Sequence, residues 1–304
     1  MNDNKSINAA PEYTSDAFSQ VLHLLKLDVN IYGNAKMCGN WRMNERTRDA
    51  TCFHMVTMGS STLDVPGYFQ GVLGFGDLVI FARELPHTMV SERPLTGEPQ
   101  QLDFREAQAI EGTGLLCGEV RFQHKGSRYL LDALPPVFVI RYNQATAWLR
   151  SLLEMVSAEN MNVGAGSKVV FDRLSELLFT YALREHFMVN PSQAGMLAVY
   201  GHHRLAKVVE ALHRFPDKGW TLEAMAKEAS LSRTAFANAF KAVSGWTAGQ
   251  YLAWWRMQLA WSLLSSGEKI TQVAAKVGYT SESAFSRAFQ KMFSVAAGKV
   301  RRGE

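Results

Sequence analysis

The stretch 220–302 writes one helical pattern twice, which constrains the chain to build two like units in succession. Residues 226–240 (AKEASLSRTAFANAF) align with 274–289 (AAKVGYTSESAFSRAF) through an early Ala, a Ser that can cap a helix, and an A-F-x-x-A-F run. The spacing predicts two short helices crossing through a tight bend in each copy, which is helix-turn-helix chemistry. Ser232 and Ser281 stand where a hydroxyl can accept from the free N–H groups of a helix's first turn. Phe236 and Phe240, like Phe285 and Phe289, are four apart and share a buried face. That turns Arg233, Thr234, Asn238, Glu282, Ser283, Ser286 and Arg287 outward. Short polar and Arg side chains on such a face suit base edges in a major groove. A solvated face would account for any one of them, but two copies in register favour the groove. Lys241 and Lys291, near the helix ends, are placed for phosphates.

Between the copies, 248–264 contains no Gly or Pro after its second residue and sets Tyr251, Leu252, Trp255, Leu259 and Leu263 at helical spacing. It reads as one continuous helix holding the units apart. A separation of about 34 Å, one turn of duplex, would carry both readers into successive major grooves on one face of the DNA.

These residues, with Gly278-Tyr279 before the second reader and the FSRAF run ending at Phe289, resemble the C-terminal domain of AraC/XylS-type transcription regulators. The resemblance implies a non-enzymatic regulator, an activator, with double-stranded DNA and RNA polymerase as partners and a homodimeric assembly. Two departures stand out. Ala248 replaces the Pro usual after the first reader, and Ser294, Ala297 and Val300 replace the usual Gly, Pro and Tyr after the second. They bear on the rigidity of turns and leave the reader helices untouched.

Charge supports a division of labour. From residue 200 onward there are fifteen Lys or Arg against seven Asp or Glu, so that part carries +8 of the net +4 and residues 1–199 carry −4. One basic domain is expected to meet phosphate. A hydrophobic content of 47% excludes a largely disordered chain. Three cysteines are too few for a disulfide scaffold, and no signal peptide or run of 18 apolar residues is evident. A cytoplasmic protein with no membrane segment is expected, its thiols kept reduced.

The fold class expected is α+β: a sensor domain over 1–160, a helical linker and dimerisation region over 161–199, and a DNA-binding domain over 200–304. The polar 1–16 is expected to fray, and 17–27 can form an amphipathic helix. Strands are predicted at 51–58, 61–65, 78–81, 115–122 and 137–140, bounded by Gly, Pro and Asn, as in a β-sandwich or barrel. Helices are predicted at 143–156, 168–187 and 197–215, the last opening the DNA-binding domain with His202, His203, Arg204 and Lys207. In 168–187, Val170, Leu174, Leu177, Leu178, Tyr181 and Ala182 form an apolar stripe that packs on the barrel or on a second chain.

Gly76-Asp77 leading into LVIF, followed by Pro86-His87, resembles the second half of a cupin barrel. Together with His54, Cys38-Gly39-x-Trp41 and Leu116-Cys117-Gly118, it is similar to the cupin-type sensor of one AraC subgroup. Ala82 and Glu84 replace the Pro and Gly usual there, and the H-x-H motif of metal-binding cupin enzymes is absent because Met55-Val56 follow His54. Cys38, His54, His87 and Cys117 are a ligand set that tetrahedral zinc accepts, although each also suits a plain core. The C-G-x-W and L-C-G segments resemble a narrower subgroup that responds to reactive chlorine species. That resemblance implies that Cys38 and Cys117 are oxidised by a species such as hypochlorous acid. Cys52, two residues before His54 on the same strand face, is an alternative ligand or resolving thiol. A small-ligand or metal sensor, or a metal-dependent cupin enzyme, are the competing readings. The incomplete His set disfavours the enzyme, and no phosphate loop, dinucleotide fingerprint or nucleophile–base–acid set is evident.

Overall fold

Alternation governs the first half of the chain. In TCFHMVTM, the side chains of Cys52, His54 and Val56 turn to one face and Phe53 and Met55 to the other, as an extended strand requires. The computed structural model describes residues 16–304 apart from 26, 46–50, 84, 94, 105, 108, 123–130, 132–133, 162–163 and 190–194. The expectations for 1–15 and Glu84 lie outside the described residues. A short helix, α1 (Ala17–Leu25), precedes ten strands: β1 (Leu27–Cys38), β2 (Arg42–Glu45), β3 (Thr51–Met58), β4 (Ser61–Val65), β5 (Phe69–Leu73), β6 (Leu78–Phe81), β7 (His87–Ser91), β8 (Gln100–Leu102), β9 (Gly112–Phe122) and β10 (Val137–Ile140).

The strands form a six-stranded sheet, β10-β6-β3-β9-β1-β8, and a four-stranded sheet, β2-β7-β4-β5. Trp41, Leu63, Leu73 and Met89 meet Val56, Val79, Phe81, Leu115 and Cys117 between the two sheets. The sheets stack face to face in a jelly-roll-like sandwich, the first of the two forms expected, and do not close into a barrel. The outer face of the larger sheet, with Phe53, Met55, Ile80 and Leu116, is covered by α2 (Ala147–Met161) and α3 (Ser167–Val189).

Strands β3, β4, β6 and β10 fall where the alternation predicts them, and β9 starts three residues early, at Gly112. The sequence reading misses β1, and the reason is a register shift between Ile31 and Gly33. Before the shift Val29 and Ile31 face the helices, and after it Met37 faces the inter-sheet core. A bulge that reverses the alternation in mid-strand hides the period-2 signal.

The C-terminal half begins with a 3-10 turn (Gly195–Tyr200) and continues through α4 (Leu205–Arg214), α5 (Leu222–Glu228), α6 (Arg233–Ser244), α7 (Ala248–Ser265), α8 (Ile270–Lys276), α9 (Glu282–Phe293) and α10 (Ala297–Arg302). The single helix expected over 197–215 is therefore two pieces. His202 Nδ1 accepts from the N–H groups of Arg204 and Leu205, 3.3 Å away in each case, and so starts α4 afresh. The predicted helix at 143–156 starts at Ala147, because Thr146 donates through its N–H and Oγ1 to Glu185 of α3 at 3.1 and 3.0 Å. The stripe expected in 168–187 divides. Leu178 and Ala182 are buried, whereas Val170 and Leu177 are exposed, and the face that packs on the sheet is Phe171, Ser175, Leu178, Phe179, Ala182 and Leu183.

The helix α1 does not pack on the sandwich alone. Ala17 and Val21 are buried in the core that holds Val208, Leu212 and Tyr251, while Leu22 touches both this core and the one under the larger sheet. In chain order α1, seated on the first helix-turn-helix unit, comes just before β1 of the sandwich.

Candidate nucleic-acid interface and sensor cup

In the first unit, Ser232 adopts extended backbone and its Oγ accepts from the Ala235 N–H at 3.3 Å, which starts α6. In the second, Ser281 does the same for Ala284 at 3.2 Å and starts α9. Phe236, Phe240, Phe285 and Phe289 are fully buried and pin one face of each helix. Arg233, Thr234, Asn238 and Lys241 on α6, and Glu282, Ser283, Arg287 and Lys291 on α9, are exposed, and Ser286 is half-buried. All nine residues thus lie on the two capped helices, with Ser286 turned partly inward.

Arg233 is engaged in a way that its spacing on the helix does not announce. Its Nη1 lies 2.9 Å from Glu223 Oε1 on α5, and this hydrogen bond holds the Glu223 carboxyl below its ordinary pKa. Both groups are open to solvent, so DNA phosphate or base edges can compete for the guanidinium. Among the described residues, Arg287 forms no salt bridge and keeps its donors for a partner.

The two units share one spine. Thr247 and Gln250 form a capping box that begins α7, with the Gln250 side chain accepting from the Thr247 N–H at 2.8 Å. Its first half gives Tyr251, Trp254 and Trp255 to the core of the first unit, and its second half gives Met257, Ala260 and Leu264 to the core of the second. A helix of 18 residues is about 27 Å long. His213 is sealed beside this helix, stacked on Trp255 at 3.5 Å, with Nε2 2.7 Å from the Tyr251 hydroxyl, which in turn lies 2.5 Å from that of Tyr200.

Inside the sandwich, His54 and His87 face each other with their Nε2 atoms 2.8 Å apart. His87 Nδ1 lies 2.9 Å from the Leu85 carbonyl oxygen, which can only accept. Neutral His87 therefore carries its proton on Nδ1 and accepts at Nε2, and His54 donates from Nε2. The Phe81 ring stacks on His87 with centroids 4.1 Å apart. Cys117 is the direct cross-strand partner of His54, and Cys52 lies on the same face of β3 two residues before it.

Cys38 is elsewhere. It pairs with Gly112, whereas Cys117 pairs with Gly33, in one β1–β9 ladder. Five residues of β9 separate the two levels, about 16 Å along the strand. The structure does not bring Cys38 and Cys117 together, and a disulfide needs Cα atoms within about 7 Å. Cys52 pairs with Glu119 and is the diagonal neighbour of Cys117, at about 7–8 Å between Cα atoms. The zinc set does not assemble either. The two imidazoles use their Nε2 atoms on each other, Cys38 is remote, and among the described residues no three His, Cys, Asp or Glu side chains gather as a metal site.

A jelly-roll cup joined to two Ser-capped helix-turn-helix units on one spine defines a DNA-binding transcription regulator with an N-terminal jelly-roll module. Comparison with known proteins agrees. The Cupin family model matches residues 16–188, and a helix-turn-helix domain model matches 225–303. The HTH-type transcriptional regulator AlkR of Acinetobacter baylyi is 30% identical over 296 residues, covering 91% of this chain and 96% of that protein. The RCS-specific HTH-type transcriptional activator RclR of Escherichia coli is 27% identical over 292 residues, covering 94% and 97%. Among solved structures, ToxT of Vibrio cholerae aligns with a TM-score of 0.37 at 12% identity, covering 91% of this chain and 97% of that one. The chain belongs to the AraC-type transcription regulators that carry a Cupin domain. Among the described residues no helix is long and apolar enough to cross a membrane.

Proposed function

We propose that the protein binds operator DNA through α6 and α9 together and activates transcription by recruiting RNA polymerase when the sandwich registers an oxidant. The observation that carries the DNA part is the pair of Ser-capped helices fixed to one spine with polar and basic residues outward. A metal-dependent cupin enzyme fits less well, since no three-ligand site assembles in the described sandwich.

The oxidant reading draws on the relative RclR, which is named RCS-specific, and on the grouping of Cys117, His54 and Cys52. Hypochlorous acid would take the electron pair of the Cys117 thiol to give a sulfenyl chloride and water. Attack by the Cys52 thiol would then form the disulfide and release HCl. Closing that bond requires β3 and β9 to shift by about 1 Å, because the diagonal distance slightly exceeds disulfide range. β9 lies beside β1, and α1, which precedes β1 in the chain, packs on the first reader unit. The sequence reading pairs Cys38 with Cys117 and keeps Cys52 as the alternative, and the strand register favours Cys52 as the partner of Cys117.

The test is a reporter driven by an operator selected from random duplexes, with and without hypochlorous acid. Cys117→Ser and Cys52→Ser should each abolish the response and keep basal DNA binding, and Cys38→Ser should retain the response. A response that survives the Cys52/Cys117 double substitution would sink the redox reading and leave the sandwich as a ligand-binding or assembly module.

A homodimer is the second part of the proposal. Val169, Val170 and Leu177 on α3 are exposed at 63%, 42% and 44%, an apolar surface on the helix facing away from the sheet. It supports assembly through α3.

A further inference from the structure

We infer that Arg256 is the positioning residue that locks the two reader units at one separation, and through it sets the spacing of DNA half-sites that the protein accepts. The inference rests on the two-reader proposal and concerns how that reading is made selective. Arg256 lies on α7 between Trp255, which belongs to the first unit's core, and Met257, which belongs to the second's. Its Nε donates to the Pro216 carbonyl at 2.7 Å and its Nη2 to the Lys218 carbonyl at 3.0 Å. Both carbonyls belong to the loop between α4 and α5, so the guanidinium grips the first unit at two points.

The second unit closes on the same group through its turn at Gly278. Gly278 sits in the turn before α9 with φ +77, and a Cβ there would lie 2.6 Å from Arg256 Nη2 and 2.9 Å from the Pro216 carbonyl oxygen. The second unit's turn therefore rests directly on the arginine and on the loop that the arginine holds. A shared helix alone fixes an axis, but each unit can still rock about its packing on that helix. Arg256 removes this freedom by bonding the first unit's loop and giving the second unit's turn a single rigid plane to rest on. A planar guanidinium can serve two carbonyls two residues apart, whereas an ammonium would serve them as a single point. Any side chain at position 278 would push the turn off that plane.

Spacing is what such a lock controls. Each reader meets its own half-site whatever the other does, so loosening the lock leaves single half-site recognition unchanged. Simultaneous engagement depends on the two readers being held in place beforehand, which acts as a raised effective concentration at one spacing.

The experiment measures binding of the full chain to duplexes carrying two selected half-sites at the native spacing and with one or two base pairs inserted or removed. Single half-site duplexes serve as reference. Wild type is expected to prefer one spacing sharply. Arg256→Ala should lose about tenfold in affinity at that spacing, with little change on shifted duplexes or single half-sites, so that the profile flattens. Arg256→Lys, which keeps the charge and the aliphatic stem, should give an intermediate profile, and Gly278→Ala should flatten it with the arginine still present. If Arg256→Ala is too unstable to assay, the lysine and Gly278 variants decide. A sharp, unshifted profile in these variants overturns the inference. Wild type that binds one half-site as tightly as two overturns the two-reader proposal itself.

Discussion

Arg287 and Arg233 share a chemistry but not a situation. Arg233 is paired with Glu223, and Arg287 projects from α9 with no salt bridge among the described residues. Arg287→Ala is expected to cost about 1–3 kcal/mol of operator binding and to relax preference at one base pair, measured by competition among single-base operator variants. His213 makes a different kind of prediction. Burial holds its imidazole neutral by pushing its pKa down to about 3, while in an unfolded chain the group titrates near about 6.5. The unfolded state thus binds the extra proton between those values, so stability is complete above about pH 6.5 and falls as pH drops toward 3. The loss approaches about 1.4 kcal/mol per pH unit in that window. Urea melts between about pH 4 and 7 should show a shallower pH dependence for His213→Phe than for wild type, and parallel curves would contradict this.

The two copies can be compared element by element. Gly245 ends α6 at φ 73 and Ser294 ends α9 at φ 59, each donating its N–H back to the helix, to Lys241 and Gln290 respectively. The left-handed conformation suits glycine and strains serine. Ser294→Gly is therefore expected to stabilise the second unit by about 1 kcal/mol, seen as a higher Tm, with reader contacts unchanged. The sequence marked this place as a departure from its family, and the backbone supplies the cost of it. Helical elements were legible because their signals are local: a capping serine, a phenylalanine four residues on, a run without Gly or Pro. The sandwich was less so. The bulge in β1 reverses the alternation, and the pairing that sets Cys117 beside His54 and far from Cys38 joins strands many residues apart. Arg256 was invisible for the same reason, since a helix sequence does not announce which distant carbonyls an arginine will hold.

For the whole molecule, α7 ties one reader unit to the other, and α1 ties the first unit to β1 of the sandwich. In the proposed dimer, the exposed apolar residues of α3 supply the next level. Leu177→Glu should convert a dimer into a folded monomer in sedimentation at micromolar concentration, because Leu177 is exposed and its loss spares the core. The neighbouring Leu178 is buried at 1%, so a Glu there would unfold the helix packing and report nothing about assembly. A folded wild-type monomer under the same conditions would rule out the dimer.

In the proposed mode of recognition, one chain reads DNA with two helices fixed on a common spine. Chemical protection of guanine N7 in the major groove of a selected operator tests it most directly. Two protected patches per chain are expected, about one duplex turn apart on the same face, with Arg287→Ala erasing contacts in one patch and Arg233→Ala or Asn238→Ala in the other. A single patch per chain, or protection unchanged by substitutions in both helices, would contradict it.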